Sequence, residues 1–284
     1  MVDILGTLDD KIENNSKEIE EYEHLLELYF TQMLSEKTDE WDEQSLLDIA
    51  EYTNGLAMQK FRPRGSEYLP VVKIKELSQG RTDNNSEQAD IAIGERFIID
   101  DGDIIFAWSG TLMVKIWCGG KAGLNQHLFK VTSPKYSKWF IYLWTKYHLI
   151  KFQNIAKGKA VTMGHIKRED LANSVALIPT KDVLKKYESI ISPLFDRIVL
   201  LHQENKTLFS LNILKNIDYS SINKGSTQPL ITQTDIRNTP VYIPDLNELL
   251  AFEDKHSMFL IQMYKDQIGK TKEIKNLFLQ KFFG

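Results

Sequence analysis

The sequence predicts an α+β protein in which a globular domain, residues 36–180, is inserted between long helices. Three observations predict it. Apolar residues at heptad spacing occupy both sides of that interval. Within it lie short β-type runs bounded by Gly, Asp and Asn. The 284 residues, 42% hydrophobic and 26% charged, suit one large or two small globular domains.

Residues 1–35 read as the first helix. Leu8, Ile12, Asn15, Ile19, Tyr22, Leu26, Tyr29 and Met33 recur at alternating spacings of four and three. Asn15 is the polar member of this seam, and a polar residue there fixes register and partner geometry. Alone, such a helix is marginal in water, so it requires a partner. In residues 36–180 the strand candidates are Tyr68–Ile74, Ile91–Ile93, Phe97–Ile99, Asp103–Trp108, Met113–Trp117 and Leu128–Val131. Asp101-Gly102 and Gly119-Gly120 are turn signals between them. Trp139–Phe152 has helical periodicity. A second seam, in residues 181–217, runs through Val183, Tyr187, Ile190, Leu194, Ile198, Leu201, Asn205 and Leu208. A further helix is predicted in residues 246–284, broken by Gly269 at a cost of about 1 kcal/mol relative to alanine.

An internal repeat links the two halves. Ile166, Asp170, Leu171, Ile178 and Pro179 reappear 65 residues later as Ile231, Asp235, Ile236, Ile243 and Pro244. A D-x-I triplet recurs in the three helices, at Asp10-Lys11-Ile12, Asp196-Arg197-Ile198 and Asp266-Gln267-Ile268. The second copy is incomplete, so residues 218–245 read as the tail of a second inserted domain.

The formal net charge of −4 hides a strong asymmetry. Residues 1–51 carry 16 acidic and 3 basic side chains; residues 52–180 carry 11 acidic and 18 basic; residues 181–284 carry 12 and 14. Lys130 to Arg168 contains nine Lys or Arg and no Asp or Glu. A polyanion is drawn to such a segment and repelled by the acidic helix. The other reading of the run is a solvated basic face.

Several chemistries find no support. There is no N/D-P-P-Y/F run, no Gly-rich loop between strand and helix, and no Walker lysine. Ser109 sits in W-S-G-T rather than G-x-S-x-G. The six histidines lack zinc-ligand spacing. Pro244-Asp245 with Glu253-Asp254-Lys255 has the residue types of a P-D…E-x-K nuclease site. The repeat accounts for Pro244, however, and Asp245 reads as a helix N-cap. Cys118, the one cysteine, sits among apolar and glycine neighbours, which favours a small buried hydrophobe over a reactive thiol. A lone thiol, with neither a secretory start nor an apolar run of about 20 residues, leads us to expect a cytoplasmic protein without a membrane partner.

Taken in order, several runs resemble the specificity subunits of type I restriction–modification systems. They are Trp41 through Asn54-Gly55; Tyr68-Leu69-Pro70-Val71-Val72-Lys73-Ile74; Gly102-Asp103-Ile104-Ile105-Phe106 with Trp108-Ser109-Gly110; Leu124-Asn125-Gln126-His127-Leu128-Phe129; and Gly158 through Met163, with His165-Ile166, Leu171 and Leu177-Ile178-Pro179. The resemblance covers nearly the whole chain. It implies a target-recognition domain at residues 36–180 and long helices paired as an antiparallel coiled coil, with Ile12, Asn15, Ile19, Leu26, Leu194, Ile198, Leu201 and Asn205 in the pairing seam. It implies double-stranded DNA as the ligand, and partner methyltransferase and restriction subunits that carry S-adenosylmethionine, ATP and Mg, with no cofactor and no catalysis in this chain. The family pattern has two complete recognition domains; here the second is a remnant, so either self-association of two copies would supply two half-sites or the chain is an exchangeable or truncated form.

Sequence is read by Arg or Lys on guanine and by Asn or Gln on adenine, while phosphate contacts fix position. The candidates are Lys60, Arg62 and Arg64; Trp108, Ser109 and Thr111; Asn125, Gln126 and His127; and Lys157, Lys159, His165, Lys167 and Arg168. Each has a plainer role open to it. Trp108 suits a core, His165 a structural hydrogen bond, Gln126 and His127 a closed turn, and the cations solvation. A coiled-coil scaffold that never touches DNA is the alternative for the whole chain.

Overall fold

The computed structural model describes the backbone of residues 2–158 and 165–216, and the side chains of residues 8–158 and 165–210. Lys159, the repeat at Ile231–Pro244, the residues Asp245, Glu253 and Lys255, and the helix expected in residues 246–284 lie outside the described residues.

The first heptad segment forms helix α1 (Val2–Ser35). The chain then enters the domain through β1 (Asp42–Ser45), α2 (Leu46–Ile49) and β2 (Glu51–Asn54). Next come β3 (Leu69–Val72), α3 (Ile74–Gln79), β4 (Gln88–Ala89), β5 (Ile98–Ile99), β6 (Asp103–Ala107), β7 (Met113–Trp117), β8 (Ala122–Leu124) and β9 (Leu128–Thr132). Helices α4 (Lys138–Tyr147), α5 (Leu149–Gly158) and α6 (Arg168–Ala172) precede β10 (Val175–Ile178), and α7 (Lys181–Asn216) follows it.

The domain is a sandwich of two four-stranded sheets, β2-β9-β6-β7 and β4-β3-β8-β5. The first is antiparallel throughout; the second contains one parallel pair, β3 with β8. Side chains alternate across a strand, and β6 is apolar on both faces. Ile104 and Phe106 join a core with α4 and the long helices, while Ile105 and Ala107 join a core with Val72, Ile99, Ala122 and Leu124 of the second sheet. Burial on both faces is why D-I-I-F-A reads as a run rather than as an alternation. At the neck, β1 and β10 pair from Asp42↔Ile178 to Ser45↔Val175, joining the strand that enters the domain to the one that leaves it.

Three expectations need correction. Ile91–Ile93 is not a strand. The Asp90 carboxylate accepts the Ala92 N–H at 2.9 Å, closing a turn, and the strand lies just before it as β4. Trp139–Phe152 is two helices broken at His148, whose ring donates from Nε2 to the Val175 carbonyl at 2.8 Å. Burial holds the His148 imidazole below its ordinary pKa, in the neutral form. Along α7 the fully buried stripe is Tyr187, Ile191, Phe195, Ile198, Leu201 and Asn205, with Ile190 and Leu194 half-buried. The shift from heptad spacing has a cause: this helix also packs on the domain, with Phe195 against Tyr142 at 5.8 Å between ring centroids. Likewise on α1 Phe30 is buried, edge-on to Trp144 at 5.1 Å, and Tyr29 is half-buried.

The two long helices are joined by polar contacts whose partners run in opposite order. Lys11 meets Glu204 at 3.3 Å, and Asn15 donates to Asn205 at 2.9 Å. Arg197, itself buried, donates to both carboxylate oxygens of Glu18, and Lys186 meets Glu36 at 2.6 Å. Asn15 and Asn205 are both buried, at 1% and 7% exposure; Asn205 engages the Asn15 amide nitrogen, and its own amide nitrogen also reaches Ser16 Oγ at 3.5 Å.

This packing makes the asparagine pair and the buried thiol testable. Asn205→Ala strands the Asn15 amide and should cost about 1–3 kcal/mol in urea unfolding, whereas Asn15→Leu with Asn205→Leu should restore stability. An additive loss in the double variant would contradict the dependence of the Asn15 amide on Asn205. Burial pushes the Cys118 thiol up to about 12, so at pH 8 the folded chain should react with a thiol reagent only as fast as it unfolds. Rapid stoichiometric labelling of the folded chain would show instead that the thiol is accessible.

Candidate nucleic-acid interface

The first sheet has two ends with different tasks. One end docks on α7. The Asp101 carboxylate accepts from the Gly120 N–H at 2.7 Å, Lys206 Nζ at 2.7 Å and Gln203 Nε2 at 3.2 Å. Lys138 donates to the Gly102 carbonyl at 2.8 Å, and Asp103 pairs with Lys130 at 2.8 Å. Gly102 turns at φ +81°, where an L side chain would be strained. The G-D run is thus a docking turn.

The opposite end gathers polar and aromatic side chains from four separate segments. Trp108 and Ser109 follow β6, Asn54 ends β2, Gln126 and His127 precede β9, and His165 bridges to Ser109. Trp108 donates from Nε1 to Asn54 Oδ1 at 3.0 Å and stacks on Phe129 at 5.6 Å. His127 Nδ1 lies 2.9 Å from Ser109 Oγ. His165 meets the Trp108 ring edge-on at 6.1 Å. Gly55 makes the convergence possible, since a β-carbon there would lie 2.2 Å from the Leu124 carbonyl oxygen.

Of the sequence candidates, this end unites Trp108, Ser109, Asn125, Gln126, His127 and His165. Ser109 and Asn125 are buried, Trp108, Gln126 and His165 half-buried, and His127 exposed. Thr111 is exposed in the β6–β7 turn, after Gly110. Asn54 is a member that sequence reasoning misses: nothing in the sequence signals that a strand-end asparagine will meet an indole 54 residues away.

The cations divide. Among the described residues of the acid-free run, four cations are engaged with groups from elsewhere in the chain. Lys130 and Lys138 hold Asp103 and its turn, Lys146 holds Glu27 at 2.9 Å and Glu23 at 3.5 Å, and Lys151 donates to the Asn173 carbonyl at 2.9 Å. Lys157, Lys167 and Arg168 are exposed. They flank the segment leading to His165, and Gln153, one turn before Lys157, donates to the Leu112 carbonyl at 3.4 Å. Lys60, Arg62 and Arg64 form a separate loop, tied down where the Asp90 N–H donates to the Phe61 carbonyl at 2.7 Å. Arg64 lies 3.7 Å from Asp90. Arg62 lines an open groove with Lys73 and Lys75, which pair with Glu87 at 2.6 Å and Asp83 at 3.4 Å. No group of three His, Cys, Asp or Glu side chains fit to hold a metal occurs among the described residues, and no described helix is long and apolar enough to cross a membrane.

Comparison with known proteins places the chain in a family. The chain is 24% identical over 217 residues to the type I restriction enzyme EcoBI specificity subunit of Escherichia coli, covering 73% of this chain and 44% of that protein. It is 25% identical over 229 residues to the MjaIX specificity subunit of Methanocaldococcus jannaschii, covering 69% and 51%. The chain therefore spans about half the length of the curated relatives it matches. Among solved structures, the type I restriction–modification S subunit from M. genitalium shares the fold, with a TM-score of 0.50 at 13% identity over 75% of this chain and 57% of that one. Residues 38–208, more than half of the chain, match the type I restriction modification DNA specificity domain, and the protein belongs to that family.

Proposed function

We infer that this chain recognises a DNA sequence on behalf of a type I restriction–modification complex, and directs methyltransferase and restriction subunits to a bipartite site. The observation that carries the reading is the convergence of Asn54, Trp108, Ser109, Gln126 and His127 at the sheet end opposite the one clamped to α7. That end offers hydrogen-bonding side chains suited to base edges, and exposed cations beside it suit phosphates. The family membership supports the same role.

In this reading α1 and α7 form an antiparallel coiled coil. The opposite order of the pairs Lys11–Glu204, Glu18–Arg197 and Lys186–Glu36 supports that arrangement. The helices present the recognition domain and dock the methyltransferase subunits. Self-association of two copies supplies the second half-site, which implies a symmetric split target. The chain itself is non-catalytic and acts in the cytoplasm. S-adenosylmethionine, ATP and Mg belong to its partners. Lys157, Lys159, Lys167, Arg168, Lys60, Arg62 and Arg64 serve as phosphate contacts, and Thr111 and His165 border the reading end.

Two experiments test the reading. Co-expression with a methyltransferase subunit, followed by mapping of methylated adenines, should give a motif that disappears when residues 36–180 are removed and changes when they are exchanged. Methylation that survives the removal unchanged would favour the scaffold alternative. Replacing Lys157, Lys159, Lys167 and Arg168 by alanine should weaken DNA binding on all sequences. It should also flatten the slope of log K against log salt by about 0.9 for each phosphate that is no longer neutralised. An unchanged slope would remove these four from the interface.

A further inference from the structure

Residues 124–128 form a turn in which nearly every polar group is engaged. The Asn125 N–H donates to the Val72 carbonyl at 3.1 Å, and the Asn125 carbonyl accepts from Leu128 at 3.0 Å. The Asn125 side chain, 6% exposed, accepts the His127 N–H through Oδ1 at 3.2 Å. The Gln126 N–H donates to the Leu56 carbonyl at 2.9 Å. Two side chains remain at the tip, and they touch. Gln126 Nε2 lies 3.4 Å from His127 Nε2. His127 Nδ1 lies 2.9 Å from Ser109 Oγ, and the two contacts together fit a ring that carries its proton on Nδ1 and accepts from the Gln126 amide at Nε2. Ser109 is itself buried and held by its bridge to His165. A chain of contacts therefore runs from a buried serine through an imidazole to the Gln126 amide.

Beyond that contact the planar Gln126 amide has a further N–H and its oxygen to offer, a donor and an acceptor. This pair matches the N7 acceptor and N6 donor of adenine in the major groove. The geometry points to a division of labour: Gln126 reads the major-groove edge of one adenine, His127 is the positioning residue that holds the Gln126 amide plane, and Asn125 is the internal brace of the turn. The assignment rests on the DNA-recognition reading above and goes beyond it by naming the reader and the base. Holding the amide before binding lowers the rotamer entropy cost of association, so the readout depends on His127 although His127 touches no base.

The full-length chain with its methyltransferase subunit, incubated with a randomised double-stranded DNA pool, tests this by sequencing of the bound fraction. The unmodified chain should enrich an adenine at one column over other bases by about tenfold to a hundredfold. Gln126→Glu, which can only accept, should turn that column towards cytosine and leave the others unchanged. His127→Ala should flatten the same column without shifting it, and His127→Gln, which restores an acceptor, should recover part of the preference. Enriched columns that are indifferent to Gln126→Glu would overturn the assignment alone. No enriched column with the unmodified chain, despite folded protein, would overturn the DNA-recognition reading and the assignment with it.

Discussion

The two-sided burial of β6 is the constraint on which the rest depends. Its four inner residues alternate between two cores: Ile104 and Phe106 face α4 and the long helices, and Ile105 and Ala107 face the second sheet. A strand gripped from both sides has little freedom to slide, because a shift by one residue would exchange both apolar sets. Its two ends are therefore fixed relative to one another. One end carries Asp101 and Gly102 onto α7; the other carries Trp108 and Ser109 to the candidate interface. The five residues of β6 thus connect the helix-docking turn to the proposed reading end through a rigid strut.

The same arrangement engages some of the cations of this acidic protein and leaves others exposed. Acidic side chains of α1, notably Glu23 and Glu27, neutralise Lys146, and Asp103 neutralises Lys130. These are cations on the side of the domain that meets the helices. Lys157, Lys167 and Arg168 lie further along the chain and are exposed, the last two close after His165 in sequence. Charge in the run Lys130–Arg168 is sorted by position in the fold, a distinction no linear count can make. The sorting weakens the run as an argument against a pure scaffold, and shifts the weight onto the convergent polar side chains.

Legibility of the fold follows the range of the forces involved. The long helices, β6, β7 and β9 are visible in the sequence because each is an extended apolar pattern that needs no distant partner to be recognised. The neck strands β1 and β10 are not: D-E-Q-S is polar and short, and becomes a strand only because Val175–Ile178 returns beside it. The stripe on α7 departs from the heptad at Ile190 and Leu194 because a heptad assumes one partner, and this helix has two, α1 and the domain. For the interface, Asn125-Gln126-His127 stands out as a polar island between apolar residues. Its meeting with Ser109, and that of Asn54 with Trp108, depends on the pairing of β6 with β9 and β2 with β9, which is non-local.

Affinity and discrimination are physically separable in such a molecule. The exposed lysines and arginines lie on loops and helix ends, where the ionic contribution tolerates variation in geometry. The turn 124–128 is braced by backbone bonds to Val72 and Leu56, so its backbone path does not depend on which side chain stands at position 126. Exchanging Gln126 alters the hydrogen-bonding pattern offered to a base edge but removes none of those backbone bonds. Exchanging Asn125 or Gly55 disturbs the turn itself. Asn125 caps the His127 N–H, and a β-carbon at Gly55 would come within 2.2 Å of the Leu124 carbonyl oxygen. On the proposed reading, the recognised sequence can change through Gln126 while the fold stays intact, because Asn125 and Gly55, which shape the turn, are distinct from the proposed reader.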